Sequence, residues 1–217
     1  MNRIRAVLFD LDGTLADTAP DLGHALNLLL ASHNLAPLPL ETIRPVASHG
    51  ARGLIELGFN VHPEDASYAN LRQDFLNHYE NNLCLNTSLF AGTKSLLDKL
   101  ESRLIPWGIV TNKPMRYTYP LVQALGLADR AGCCVCGDTT SHSKPHPEPL
   151  LFAAYQLNIK PETCLYLGDA QRDIEAARSA GMTALVARYG YLSAFDQPDT
   201  WQASGLIDTP EELLNHL

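Results

Sequence analysis

Five short apolar runs, each cut off by polar or glycine-containing residues, constrain this chain more than any other feature. The first, residues 4–9, stops at Asp10-Leu11-Asp12-Gly13-Thr14; residues 105–110, 132–136, 164–167 and 183–187 stop in the same manner. Runs of this length without polar alternation suit strands covered on both faces, which is the condition of a parallel sheet. Between them, residues 93–102, 117–125, 147–157 and 174–180 carry helical patterns that can serve as right-handed crossovers. The alternation predicts an α/β chain with a doubly wound, Rossmann-like parallel sheet.

One stretch breaks the alternation. Within residues 16–85 the segments 22–31, 51–57 and 67–83 favour helix and no convincing strand intervenes. The chain therefore divides into an α/β core, residues 1–15 and 86–217, and a small all-helical domain, residues 16–85, inserted after the first strand. With 217 residues there is room for two such lobes. A short β run at 206–207 is followed by a predicted terminal helix, with Thr209 as N-cap, Pro210 at its first position and Glu211 and Glu212 in its first turn.

A formal net charge of -8 argues against nucleic acid as a partner, because phosphate backbones are held by clustered Lys and Arg. It leaves room for a small phosphorylated metabolite, which one metal ion and a few local cations can neutralise. Residues 1–9 lack the apolar core and cleavage site of a signal peptide, and no stretch is apolar enough to span a bilayer, so no membrane association and a cytoplasmic location are expected. Cys84, Cys133, Cys134, Cys136 and Cys164 read as reduced thiols. His142 and His146 follow the cluster at 133–136, but neighbouring strand residues point to opposite faces and do not converge on one ion.

In open α/β sheets ligands bind beyond the carboxyl ends of the strands. There this chain places Asp10 and Asp12, then Thr111, Asn112 and Lys113, then Lys144 in the loop after residues 132–136, then Asp169 and Asp173. Carboxylates gathered at one rim repel unless a cation sits among them, and hard oxygen donors suit Mg²⁺. Asp10 is placed to attack phosphorus and form an aspartyl-phosphate, and Asp12 to protonate the leaving alcohol and later deprotonate water. Thr111, with backbone N–H groups of 10–13 and 111–113, can donate to phosphoryl oxygens; Lys144 can balance charge, and Gly13 permits close backbone approach. Taken alone, an Asp-x-Asp is more often a solvated turn; the joint placement after successive strands favours chemistry.

In four places the chain resembles the haloacid dehalogenase superfamily: Phe9-Asp10-Leu11-Asp12-Gly13-Thr14-Leu15, Ile109-Val110-Thr111-Asn112-Lys113, Ser143-Lys144-Pro145, and Gly168-Asp169-Ala170-Gln171-Arg172-Asp173. The resemblance implies a Mg²⁺-dependent phosphatase in which Asp10 is nucleophile and metal ligand, Asp12 is acid/base and offers its main-chain oxygen to the metal, Asp169 is a direct ligand and Asp173 acts through water. It makes Gly13, Thr111, Asn112 and Lys144 the phosphate-binding set. The helical insert resembles the cap of the phosphoglycolate phosphatase branch, where Arg44, Ser48, His49, Gly50 and Arg52 become candidates for contacting the organic half of the substrate. Ser48-His49-Gly50-Ala51 and Tyr189-Gly190-Tyr191-Leu192 are also similar to phosphatases of N-acetylmuramate 6-phosphate, which keeps a sugar phosphate as an alternative substrate. A phosphomutase would share Asp10 and Asp12.

Overall fold

The structure is a computed structural model, and it describes residues 3–217. Its strands are β1 (Ala6–Phe9), β2 (Ala16–Asp17), β3 (Ser88–Leu89), β4 (Trp107–Val110), β5 (Cys133–Val135), β6 (Cys164–Gly168), β7 (Thr183–Ala187) and β8 (Gly205–Ile207). Its helices are α1 (Ala19–Ser32), α2 (Leu40–Ile43), α3 (Gly50–Phe59), α4 (Tyr68–Asn81), α5 (Thr93–Ser102), α6 (Met115–Ala124), α7 (Glu148–Gln156) and α8 (Gln171–Ser179).

Six strands form one parallel sheet in the order β5-β4-β1-β6-β7-β8. The period of two along each strand sorts side chains into two cores. Val7 and Phe9 of β1, Leu165 and Leu167 of β6 and Leu185 of β7 pack with Leu96, Leu97 and Leu100 of α5 and Leu121 of α6. Ala6, Leu8, Tyr166, Ala184 and Val186 face the other way, against Leu150 and Ala153 of α7 and Ile174 and Ala177 of α8. This is the expected doubly wound arrangement. The chain leaves β1 towards β4 and β5 on one side and returns to β6, β7 and β8 on the other. The switch point therefore lies at the carboxyl ends of β1, β4 and β6, where such folds open a crevice.

Helices α1 to α4 fill the stretch between β2 and β3. Leu22, Leu26, Leu29 and Leu30 of α1 recur at helical spacing, as do Leu71, Phe75 and Tyr79 of α4; both stripes are buried against each other and against Leu54 and Ile55 of α3. Each such leucine, fully buried, stabilises by about 1.5–3 kcal/mol. These residues form a third hydrophobic cluster, which also receives Tyr117 and Tyr191.

The structure departs from expectation at short elements. Ala16–Asp17, at the start of the expected helical insert, is a strand that pairs antiparallel with Ser88–Leu89 just beyond its end. Two residues per strand are too few for an alternating pattern to show. Residues Arg44–His49 form a 3₁₀ turn between α2 and α3. The terminal segment Pro210–His216 is 3₁₀ rather than α, and Thr209 makes no side-chain cap; instead Glu212 accepts from the N–H of Asp208. Among the described residues no helix is long and apolar enough to cross a membrane.

Candidate active site

Asp10 follows β1 directly and is 4% exposed. Its Oδ1 accepts from the N–H of Leu11 at 2.8 Å and from Lys144 Nζ at 2.9 Å, which leaves Oδ2 as the oxygen not engaged by either. Asp169 follows β6 and is held by the Ser48 hydroxyl at 2.7 Å and the Tyr191 N–H at 2.9 Å, both on Oδ2. Asp173, in the first turn of α8, accepts from the Ala170 N–H at 3.0 Å on Oδ2 and from Lys144 Nζ at 2.7 Å on Oδ1. Ligand oxygens of Asp10, Asp169 and Asp173 lie within 4.8 Å of one another.

Three buried carboxylates this close cannot all carry charge cheaply. Burial, only partly offset by Lys144, pushes Asp10 up to about 6. Burial, reinforced by Asp10 and Asp173, pushes Asp169 up to about 7. Lys144 is pulled down by burial but held above its ordinary value by Asp10 and Asp173. An all-oxygen set with one compensating ammonium retains excess negative charge, and a small hard divalent cation is the group that such donors fit.

Asp12 stands apart from that cluster. Its Oδ1 accepts from Lys113 Nζ at 2.8 Å and from the Thr18 hydroxyl at 2.6 Å. Thr111, 3% exposed at the end of β4, uses its Oγ1 to accept from the Lys113 N–H at 3.1 Å, so its own hydroxyl proton is available to a ligand. Gly13 has φ +81, and a Cβ there would lie 2.2 Å from Asp169 Oδ2; only glycine lets the two loops close together.

Lys144 and Asn112 are tied into the protein by their own contacts. Lys144 Nζ is surrounded by Asp10 Oδ1, Asp173 Oδ1, the Val110 carbonyl at 2.9 Å and the Tyr166 hydroxyl at 2.8 Å. These acceptors hold the ammonium beneath Asp10, where it braces the Asp10 and Asp173 carboxylates. The Asn112 side chain is also occupied: it donates to the Lys144 carbonyl at 2.9 Å and accepts from the Lys144 N–H at 3.0 Å, clamping that loop. Of the expected backbone donors, Asp10, Gly13 and Thr111 are bonded to the Leu167, Ala16 and Val135 carbonyls, and the N–H groups of Leu11 and Lys113 are taken by side chains. Among the described residues those of Asp12 and Asn112 have no such bond.

A cavity of about 590 Å³ lies over these groups, lined by Asp10, Asp12, Thr111, Asn112 and Lys113 below and by His49, Gly50, Arg52, Arg72 and Tyr79 above. His49 and Arg52, two of the cap candidates, line this cavity. Arg44 does not line it; its guanidinium pairs with Asp17 at 2.6 Å, beside the β2–β3 ribbon. Sequence reasoning missed three cations or donors: the Lys113 side chain, Arg172, which lines the cavity and donates to the Ser48 carbonyl at 2.6 Å, and Tyr166 beneath Lys144. Lys113 and Arg172 lie inside motifs already singled out, so charge at a strand end was the signal. The second group of possible metal donors among the described residues, His142, His146 and Glu148, is exposed or half-buried, and no cysteine belongs to either group.

The family model for haloacid dehalogenase-like hydrolases matches residues 7–187. The chain belongs to that family. The chain is 43% identical over 211 residues, 97% of its length and 95% of the relative's, to an N-acetylmuramic acid 6-phosphate phosphatase of Pseudomonas putida. It is 42% identical over 209 residues, 96% and 94% of the two chains, to a phosphoglycolate phosphatase of Xanthomonas campestris pv. campestris. The crystal structure of a predicted phosphoglycolate phosphatase from Haemophilus somnus 129pt superposes with a TM-score of 0.85 at 26% identity, covering 100% of this chain and 99% of that one. The chain is accordingly an enzyme of the phosphoric monoester hydrolase class.

Proposed function

We propose that this hydrolase is Mg²⁺-dependent and cleaves a small phosphate monoester through an aspartyl-phosphate on Asp10. The observation that carries the reading is the separation of two carboxylate environments on one cavity floor: Asp10 with Asp169 and Asp173 on one side, and Asp12 with Lys113 and Thr18 on the other. The first set has the donors for the metal, with Asp12 contributing its main-chain oxygen. When bound, Mg²⁺ would offset the charge of the carboxylates and of the phosphoryl group. Lys144 and the Leu11 N–H hold Asp10 by Oδ1, and the unengaged Oδ2 attacks phosphorus. Asp12 delivers a proton to the departing alkoxide, then accepts one from the water that hydrolyses the acyl-phosphate. The Thr111 hydroxyl and the Asn112 N–H donate to the non-bridging oxygens.

Residues 16–85 act, in this reading, as a cap that flexes at the β2–β3 ribbon and excludes water. The esters named for the two relatives, N-acetylmuramate 6-phosphate and 2-phosphoglycolate, both bear a carboxylate. Arg52 and Arg72 line the cavity, and among the described residues neither is in an ion pair. A cavity of about 590 Å³ favours the larger amino-sugar phosphate; the near-equal identity of the phosphoglycolate phosphatase keeps 2-phosphoglycolate as the second reading. The five cysteines, all free thiols, support a cytoplasmic location.

A panel of phosphorylated metabolites assayed with Mg²⁺ for free phosphate and for isomer formation tests the reading. It predicts phosphate release, highest kcat/KM for N-acetylmuramate 6-phosphate, and no turnover in Asp10→Asn. Isomer without phosphate would identify a mutase instead.

A further inference from the structure

Tyr79 is the last residue of the buried stripe of α4, four positions after Phe75, and is 2% exposed. Its ring is parallel to that of Phe75 at 6.5 Å and tilted against that of Tyr117 at 5.8 Å. The Lys113 ammonium sits over its face, 4.8 Å from the centroid. Lys113 is the partner of Asp12, so Tyr79 covers the proton-transfer side of the cavity and not the carboxylate cluster. Burial pushes its phenol up to about 12, so the hydroxyl keeps its proton.

That hydroxyl is sealed from solvent and, among the described residues, has no hydrogen-bond partner. Buried polar groups are almost always paired, and an orphan is costly to keep. Phenylalanine would supply the same stacking and the same face to Lys113, losing only the electrostatic contact between the hydroxyl and the Lys113 ammonium, which falls short of a hydrogen bond. The hydroxyl therefore points to a partner that arrives from outside the chain.

Resting on the phosphatase reading of this cavity, we propose that Tyr79 is a specificity-determining residue whose hydroxyl hydrogen-bonds a polar group on the alcohol half of the ester, next to the oxygen that leaves. Asp12, on this side of the cavity, protonates that oxygen, so the alcohol must lie within reach of the helix that carries Tyr79. The class of substrate implied is an alcohol with a hydroxyl, ether or carboxyl oxygen close to its phosphorylated carbon; simple aryl or alkyl phosphates would bind without this contact.

The experiment compares wild type with Tyr79→Phe, using the better of N-acetylmuramate 6-phosphate and 2-phosphoglycolate alongside p-nitrophenyl phosphate. One hydrogen bond lost only with the polar ester should lower its kcat/KM roughly tenfold or more, while p-nitrophenyl phosphate changes less than about twofold, within the scatter of neutral substitutions. The variant should also melt a few degrees higher, because the orphan group is gone. An unchanged ratio between the two esters overturns the proposal, and so does a lower melting temperature, which would mean that the hydroxyl is already bonded in the protein. Asp10→Asn, run in parallel, separates the two levels: turnover surviving in that variant defeats the phosphatase reading itself, whatever Tyr79 does.

Discussion

Removing divalent metal and raising the pH should destabilise this protein, contrary to the usual behaviour of acidic chains near neutrality. Asp10 rises from an ordinary 3.8 to about 6 and Asp169 from 3.8 to about 7. The folded state therefore binds these protons more tightly than the unfolded chain does. The resulting penalty is absent below about pH 4, where both states are protonated, grows as pH rises towards 7, and is constant above that. At about 1.4 kcal/mol per tenfold change in proton affinity, Asp169 alone is worth on the order of 4 kcal/mol. The two effects share the same mutual repulsion and are not summed. For a chain of this size that corresponds to a fall in melting temperature of roughly 10 °C. His49 acts in the opposite sense, since burial and Arg172 lower it, but it is only half-buried and its contribution is smaller. Thermal melts in chelator at pH 5 and pH 8, repeated with Mg²⁺, provide the assay. At a hundred times its Kd the metal should restore about 3 kcal/mol, and more at pH 8 than at pH 5, where protons compete for the same oxygens. Chelated protein that is more stable at pH 8, or a Mg²⁺ effect independent of pH, would refute the reasoning.

Lys144→Met leaves Asp10 and Asp173 without their shared cation and should cost about 3–5 kcal/mol in urea unfolding under chelator, partly recovered by Mg²⁺. Gly13→Ala drives a methyl group into Asp169 from a left-handed backbone; Mg²⁺ binding by calorimetry should disappear while the α/β circular dichroism spectrum persists. Arg52→Ala and Arg72→Ala should each raise KM for a carboxylated ester about tenfold with kcat nearly unchanged, whereas Arg44→Ala, outside the cavity, should leave KM within about twofold and lower thermal stability through loss of its Asp17 pair.

How much of this could be read from the sequence depended on the range of the interactions involved. The ends of β1, β4 and β6 were legible because an apolar run followed by Asp, Thr or Gly is a local signal, and topology then brings Asp10, Thr111 and Asp169 to one crevice. The mutual contacts of Asn112 and Lys144 were not, because the bonds that tie the Asn112 amide to the Lys144 backbone join residues far apart in the chain. Residue type marked Lys144 as a cation for the site; the cage of Val110, Tyr166, Asp10 and Asp173 around it is set by tertiary contacts that no local pattern encodes. Among the candidates in the helical segment, Arg44 and Arg52 looked alike in sequence. The 3₁₀ turn over Arg44–His49 separates their directions, and no helical periodicity encodes it. Tyr79 was hidden for a related reason, since a tyrosine in an apolar helical stripe reads as core until its hydroxyl is found without a partner.

The most direct test of the central claim is to trap the covalent intermediate. Asp12→Asn, deprived of its base for the second half-reaction, is mixed with Mg²⁺ and an activated aryl phosphate, quenched in acid and digested. The account predicts a peptide carrying one added phosphoryl group on Asp10, absent from Asp10→Asn and absent in chelator. Turnover without any phosphorylated peptide, or a phosphoryl group on another residue, would contradict the account.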